Sequence, residues 1–162
     1  MAVMDLYLRD YFMEEVELFS DEYFMGKALQ LAQQAFDEDE VPIGAVVVHK
    51  ERIIAKGYNQ TERLTDVTAH AEMLAITGAA QYLGSKFLEE CTLYVTVEPC
   101  TMCFGAIQWA RPARLVFGAS EPKTGYHGKG LIAAPKIEVI SGILESDCAA
   151  IMREFFKSKR KN

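Results

Sequence analysis

His70-Ala71-Glu72 and, further along, Pro99-Cys100-Thr101-Met102-Cys103 are the stretches from which the rest of the sequence is read. They offer one imidazole, two thiols and one carboxylate. An imidazole with two thiolates is a ligand set for zinc, and three protein ligands leave the fourth tetrahedral position open to water. That arrangement marks a catalytic ion rather than a structural one. Glu72, two residues past the first ligand, is placed to move that water's protons.

The periodicities around these stretches alternate between helix and strand. Ser20 reads as an N-cap with Asp21 and Glu22 in the first turn. Phe24, Ala28, Leu31, Ala32, Ala35 and Phe36 follow at helical spacing until the acidic run Asp37-Glu38-Asp39-Glu40. Gly44–His49 and Arg52–Tyr58 are β-rich, with Glu51 between them in a tight turn, which predicts a hairpin. Thr68 is positioned to cap a helix running to about Tyr82, and Thr92–Val97 alternates as a strand. Pro99 suits the first position of a helix that Cys100–Ala110 continues. Arg114–Gly118 reads as a buried strand, residues 119–136 as a long glycine- and proline-containing loop, Ile137–Ile140 as a short strand and Ile143–Lys159 as a final helix. This order predicts an α/β fold, a three-layer α-β-α sandwich around a mixed five-stranded sheet. Both motif stretches then fall at helix starts. Unpaired N–H groups and a partial positive charge there favour thiolates, and strand-to-helix turns on one sheet edge form a crevice.

The chain has 162 residues, half of them hydrophobic, which suggests one domain over residues 20–162 behind an extension at 1–19. The extension mixes acids with Leu6, Tyr7, Leu8, Tyr11, Phe12 and Met13, and forms either a short amphipathic helix or a loose segment. No apolar run reaches the roughly 18 residues of a membrane span. The N-terminus lacks a basic start and an apolar signal stretch, so a soluble, cytoplasmic protein without membrane contact is expected. Cys91 and Cys148 stand alone in apolar surroundings and read as small core residues. Net charge is -6. Asp5, Asp10, Glu14, Glu15, Glu17, Asp21 and Glu22 crowd the first part, whereas Arg153, Lys157, Lys159, Arg160 and Lys161 make the C-terminal end basic. That end either contacts phosphates or is a solvated helix end.

Two competing readings of the motif are weaker. Cys-x-x-Cys alone fits a redox pair, but His70 and Glu72 then have no role. A structural zinc needs a fourth ligand, and Cys91, Cys148, His49 and His127 all lie outside paired motifs.

H-x-E followed by P-C-x-x-C is the known signature of zinc-dependent nucleobase deaminases. The chain resembles the cytidine deaminase superfamily, and within it the bacterial tRNA-specific adenosine deaminases, over about residues 20–160. The resemblance rests on Glu40–Val46, Asn59, Asp66–Glu72, Leu93–Cys100, Gly105-Ala106-Ile107, Val116–Ala119, Lys123-Thr124-Gly125 and Phe155-Phe156. It implies a cytidine deaminase-like fold, one Zn2+ per subunit on His70, Cys100 and Cys103, and Glu72 as the catalytic proton carrier. It also implies substrate contacts from Asn59, the backbone at Ala71 and Glu98, and position 121. The implied substrate is the wobble adenosine of a tRNA anticodon stem-loop, flipped into the site and converted to inosine. The implied assembly is a homodimer.

Glu121 stands where the family usually has Asp, Pro122 follows it, Tyr126-His127 replace small residues, and the stretch between Gly130 and Ile137 is short. These departures and the acidic composition keep open a deaminase of a free base or nucleoside, such as guanine or cytosine. The apolar face of Cys100–Ala110, with Phe104, Ile107 and Trp109, is either the dimer contact or plain core. Arg111 and Arg114 either meet phosphate or flank a strand. His49 and His127 read as surface residues.

Overall fold

A computed structural model describes residues 17–160. The elements run α1 (Asp21–Asp37), β1 (Gly44–His49), β2 (Arg52–Tyr58), α2 (Ala71–Leu83), β3 (Cys91–Val97), α3 (Thr101–Ala110), β4 (Arg114–Ala119), β5 (Glu138–Ser141) and α4 (Glu145–Lys159), with one 3-10 turn at His127–Lys129. The strands form one sheet in the order β2-β1-β3-β4-β5. β1 pairs antiparallel with β2 and β3, whereas β3, β4 and β5 are parallel. The expected mixed five-stranded sheet is therefore present.

Strand alternation builds the three layers. Ala45, Val47, Leu93, Val95, Leu115 and Phe117 point to one face, where they meet Ala71, Ala75 and Ala79 of α2 and Phe104, Ile107 and Ala110 of α3. Val46, Val48, Tyr94 and Val116 point to the other, against Phe24, Met25, Ala28, Leu29 and Ala32 of α1 and Cys148 and Ile151 of α4. Each fully buried Val, Leu, Ile, Phe or Met contributes about 1.5–3 kcal/mol of burial free energy. The central strands β1, β3 and β4 are apolar on both faces because helices cover both. Cys91 and Cys148 are buried core residues, as read from the sequence.

Several boundaries differ from the sequence reading. Ser20 does cap α1, accepting from the Tyr23 N–H at 3.1 Å. Thr68 does not cap α2: its N–H and hydroxyl both donate to Asp66 Oδ1, and His70 is the N-cap without a side-chain bond of its own. Pro99 lies before α3, and Cys100 takes the N-cap place. α4 opens at Glu145, because Leu144 adopts a left-handed φ of 51° that the helix cannot continue. β5 is displaced by one residue, and Ile137 is a core residue before it. The hairpin turn is Lys50-Glu51, both residues at positive φ, as a two-residue turn matching strand twist requires. The N-terminal extension lies, up to residue 16, outside the described residues.

Candidate metal centre and cavity

The site is assembled by two helix starts on the same face of the sheet. α2 is drawn close because Gly57 of β2 has no side chain: a Cβ there would sit 2.3 Å from the Ala71 carbonyl oxygen. α3 follows directly from the end of the parallel strand β3, the position where α/β sheets open a crevice. Both N-caps, His70 and Cys100, are extended rather than helical, so their side chains turn across the gap between the helix ends. Cys103, one helical turn into α3, is buried beneath them.

His70 Nδ1 lies 3.6 Å from Cys100 Sγ and 3.5 Å from Cys103 Sγ. The ligand atoms of the three residues all fall within 4.8 Å of one another. Metal–sulfur and metal–nitrogen bonds of about 2.3 and 2.0–2.1 Å at tetrahedral angles would separate S and N by about 3.6 Å. The donor set thus fits one tetrahedral ion with a fourth position left over. Among the described residues the cluster has these three members. His49 lies instead beside Glu90 at 3.4 Å, and His127 is exposed.

The neighbouring Cys103 thiol, with the His70 ring, holds Cys100 down to about 4 despite its partial burial. The same contact, with burial, raises Cys103. The pair thus favours one thiolate, and a metal held here would require the second thiol to give up its proton. The hydrogen bond to Cys100 raises His70. Glu72 is only 3% exposed, and burial pushes its carboxyl up to about 7.

A cavity of about 760 Å³ opens over the cluster. His70, Glu72 and Cys100 line it, with Glu98, Glu121, Pro122, Lys123 and Thr124 from one side and Met152, Phe156 and Lys159 of α4, with Arg160 just after it, from another. A hollow of about 900 Å³ adjoins it, sharing Val41 and Lys159, but none of His70, Cys100 and Cys103 lines it. Of the residues expected to touch substrate, Glu98 and Glu121 are in the cavity wall. Ala71 is fully buried between His70 and Glu72. Asn59 is buried at the end of β2, its amide Nδ2 donating to Glu40 Oε2 at 3.5 Å. Because a carboxylate only accepts, that contact fixes which way the Asn59 amide faces.

Glu40 itself escaped the sequence reading, which took it as the tail of an acidic helix end. Its buried carboxylate accepts from the Arg63 and Glu62 N–H groups at 2.6 and 3.2 Å and so shapes the turn after Asn59. The available signal was an acid followed immediately by Val41-Pro42-Ile43. Tyr126, noted only as a departure, stacks on Phe104 at 3.9 Å with the rings 5° from parallel. Phe104 and Ile107 are core, 2% and 0% exposed, whereas Trp109 is 79% exposed. Arg114 is held by Asp21 and Glu138, and Arg111 lies over the Phe87 ring at 4.5 Å.

Residues 19–160 match the model of the MafB19-like deaminase family. A tRNA-specific adenosine deaminase of Agrobacterium fabrum is 47% identical over 144 residues, spanning 85% of this chain and 95% of that protein. A solved structure from work on tRNA:A34 deaminases, which edit A to I at the wobble position, superposes with a TM-score of 0.73 at 46% identity, covering 80% of this chain and 98% of that one. A guanine deaminase from Nitrosomonas europaea superposes with a TM-score of 0.74 at 27% identity, covering 92% and 91%.

Proposed function

The chain belongs to the MafB19-like deaminase family, among the tRNA-specific adenosine deaminases, and from that premise we propose how its residues convert the wobble adenosine of a tRNA anticodon loop to inosine. The observation that carries the reading is the His70–Cys100–Cys103 cluster with buried Glu72 beside it at the floor of an open cavity. We assign one Zn2+ per subunit to His70, Cys100 and Cys103. Zinc bound there supplies a Lewis acid that lowers the pKa of water toward neutrality.

Glu72 is the proton carrier. Its carboxylate takes a proton from the attacking water and passes it to the ring nitrogen as the C6–O bond forms, then takes the proton of the new C6 hydroxyl and gives it to the amino group, which leaves as ammonia as the C6–N bond breaks. Adenosine and water become inosine and ammonia. Asn59, with one amide hydrogen on Glu40, keeps its oxygen and its second hydrogen for the base edge. The backbone at Ala71 and Glu98, and Glu121, complete the substrate contacts. A loop base is splayed into such a cavity at low cost. Phe156 and Lys159 of α4, with Arg160 just after it, stand at the mouth to meet the flanking nucleotides.

The assembly we infer is a cytoplasmic homodimer. Its contact would be the mainly apolar hollow of about 490 Å³ lined by Ile76, Phe87, Ala106, Trp109 and Ala110 together with the cations Lys86 and Arg111. Among the described residues no helix is long and apolar enough to cross a membrane.

The second reading, a free-base deaminase, draws on the equal superposition with a guanine deaminase. Sequence identity separates the two, 46% against 27%. The deciding experiment incubates zinc-loaded protein with an anticodon stem-loop carrying a wobble adenosine, with adenosine, and with free guanine and cytosine. Inosine in the stem-loop with the others untouched is expected. Ammonia from guanine or cytosine with an intact stem-loop overturns the assignment.

A further inference from the structure

Glu98 is a buried carboxylate in the cavity wall to which the reaction above gives no side-chain task. Only its backbone is assigned there. We propose that the Glu98 side chain is a positioning residue: it staples the ends of the Glu121–His127 loop and so presents Lys123 and Thr124 to the RNA. The proposal rests on the deaminase reading.

The side chain is 8% exposed and turned into the loop. Its Oε1 accepts from the Glu121 N–H at 3.4 Å and its Oε2 from the His127 N–H at 3.2 Å. The two donors sit at opposite ends of the loop, so one carboxylate closes the segment by bridging them. Backbone N–H groups converging on a carboxylate make charge-assisted hydrogen bonds, which are stronger than neutral ones. Both oxygens are engaged in this way, which makes the group an acceptor rather than a proton carrier.

The loop is shaped to admit it. At Gly125 a Cβ would fall 1.9 Å from Glu98 Oε2 and 2.4 Å from the Glu121 carbonyl oxygen. A side chain at 125 and a carboxylate at this place are mutually exclusive. The other side of the loop is tied to the metal-binding turn. Tyr126 N–H donates to the Pro99 carbonyl at 3.0 Å, Gly125 bridges to Cys100, and the Tyr126 ring stacks on Phe104 of α3. Glu98 is therefore the joint between β3, the metal ligand Cys100 and the loop. Pro122, Lys123 and Thr124 ride on that loop at the cavity wall, and Glu121 adds a local brace by accepting from the Lys123 N–H at 2.9 Å. A cation and a hydroxyl held in place position RNA through its phosphates and sugars. If they were loose, binding would also have to order the loop.

The test compares Glu98→Ala, Glu98→Gln and Gly125→Ala with the wild type. Zinc per chain, amide exchange over residues 121–127 and kinetics on the anticodon stem-loop are measured. Zinc content and exchange in the sheet stay at wild-type values. Loop exchange quickens, and kcat/KM falls about ten- to hundredfold, chiefly through KM. Glu98→Gln, which keeps one acceptor oxygen, is intermediate, and Gly125→Ala reproduces Glu98→Ala with the carboxylate still present. Should Glu98→Ala fail to fold, the other two variants carry the comparison. Unchanged loop exchange in them, or a kcat lost outright at constant KM in Glu98→Gln, overturns the proposal. If the wild type itself makes no inosine, the deaminase assignment falls, while the exchange data still decide whether Glu98 closes the loop.

Discussion

Replacing Glu72 by Gln separates proton transfer from everything else at the site. The substitution keeps the side chain's size at a position that is 3% exposed, so no cavity is opened. A positioned general acid or base typically contributes 10²–10⁴-fold. On the proposed mechanism Glu72 acts at more than one proton movement, and the neighbouring carboxylates are engaged with backbone N–H groups. Both Glu98 oxygens accept backbone N–H groups, and Glu121 accepts from Lys123. The expected fall in kcat is therefore about 10³–10⁵, or about 4–7 kcal/mol of barrier at 1.36 kcal/mol per factor of ten. KM stays within about threefold, since an interaction confined to the transition state leaves ground-state binding alone. Stability changes little. Burial already raises the Glu72 carboxyl, so the charge it carries near neutral pH costs stability, and a neutral Gln should leave Tm unchanged or slightly higher. Zinc remains at one per chain, because its ligands are other residues. Single-turnover formation of inosine in a stem-loop, metal analysis and a thermal melt measure all three quantities. A rate within tenfold of wild type, or loss of zinc with the rate, would refute the division of labour between ligands and proton carrier.

Cys103→Ser exchanges a buried soft donor for a hydroxyl; zinc content and activity should both collapse, and full metal retention by elemental analysis would contradict the assigned ligand set. The Arg114 guanidinium holds Asp21 below its ordinary range, with Tyr94 also donating to it. Its contribution is complete above the unfolded-chain value of about 4 and is lost as pH falls through the lower folded-state value. Asp21→Asn should thus cost about 1–3 kcal/mol at pH 7 and progressively less as pH falls below about 4, and a gap in denaturation midpoints that stays constant on acidification would count against this. Trp109→Glu should convert a dimer into monomers in sedimentation, with the core intact by circular dichroism, since Trp109 is exposed at the apolar hollow and outside the core.

The fold was readable because each face of the sheet is written into strand alternation. Val46 and Val47 go to opposite layers, and the helices that cover them carry Ala at the contact positions. The juxtaposition of His70, Cys100 and Cys103 was readable because the three occupy two short motifs at predicted helix starts. What could not be read is what the neighbours of those motifs do. Thr68 looked like a cap, but Asp66 two residues away competes for its N–H and hydroxyl. Pro99 suits a helix start, yet its carbonyl is needed by Tyr126 and the turn shifts the helix by two residues. Phe104, Ile107 and Trp109 share an apolar helix, and periodicity does not say which side meets the sheet. Glu40 and Glu98 are acids whose partners are backbone N–H groups distant in sequence, and no local pattern encodes such a partner.

A net charge of -6 runs against an RNA substrate, since phosphate contacts dominate nucleic-acid affinity. The structure removes the conflict by position. Screening confines charge effects to about 8 Å at physiological salt, so the cavity mouth feels its own residues rather than the total. Lys123, Lys159 and Arg160 line that cavity. Of the carboxylates sharing it, two are buried, Glu98 with both oxygens on backbone N–H groups and Glu72 beside the His70–Cys100–Cys103 cluster, while half-exposed Glu121 spends one oxygen on the Lys123 N–H. Lys159 is partly countered by Asp39, which leaves a small cationic rim rather than a broad basic face. A rim of that size makes only a few phosphate contacts and correspondingly weak salt dependence, about 0.7 in log–log slope for each contact on single-stranded RNA. Discrimination must then come from the base itself, taken out of its stack and fitted into a buried cavity. An enzyme built this way tolerates an acidic body, because its substrate is chosen by what enters the cavity and not by how strongly the surface attracts RNA.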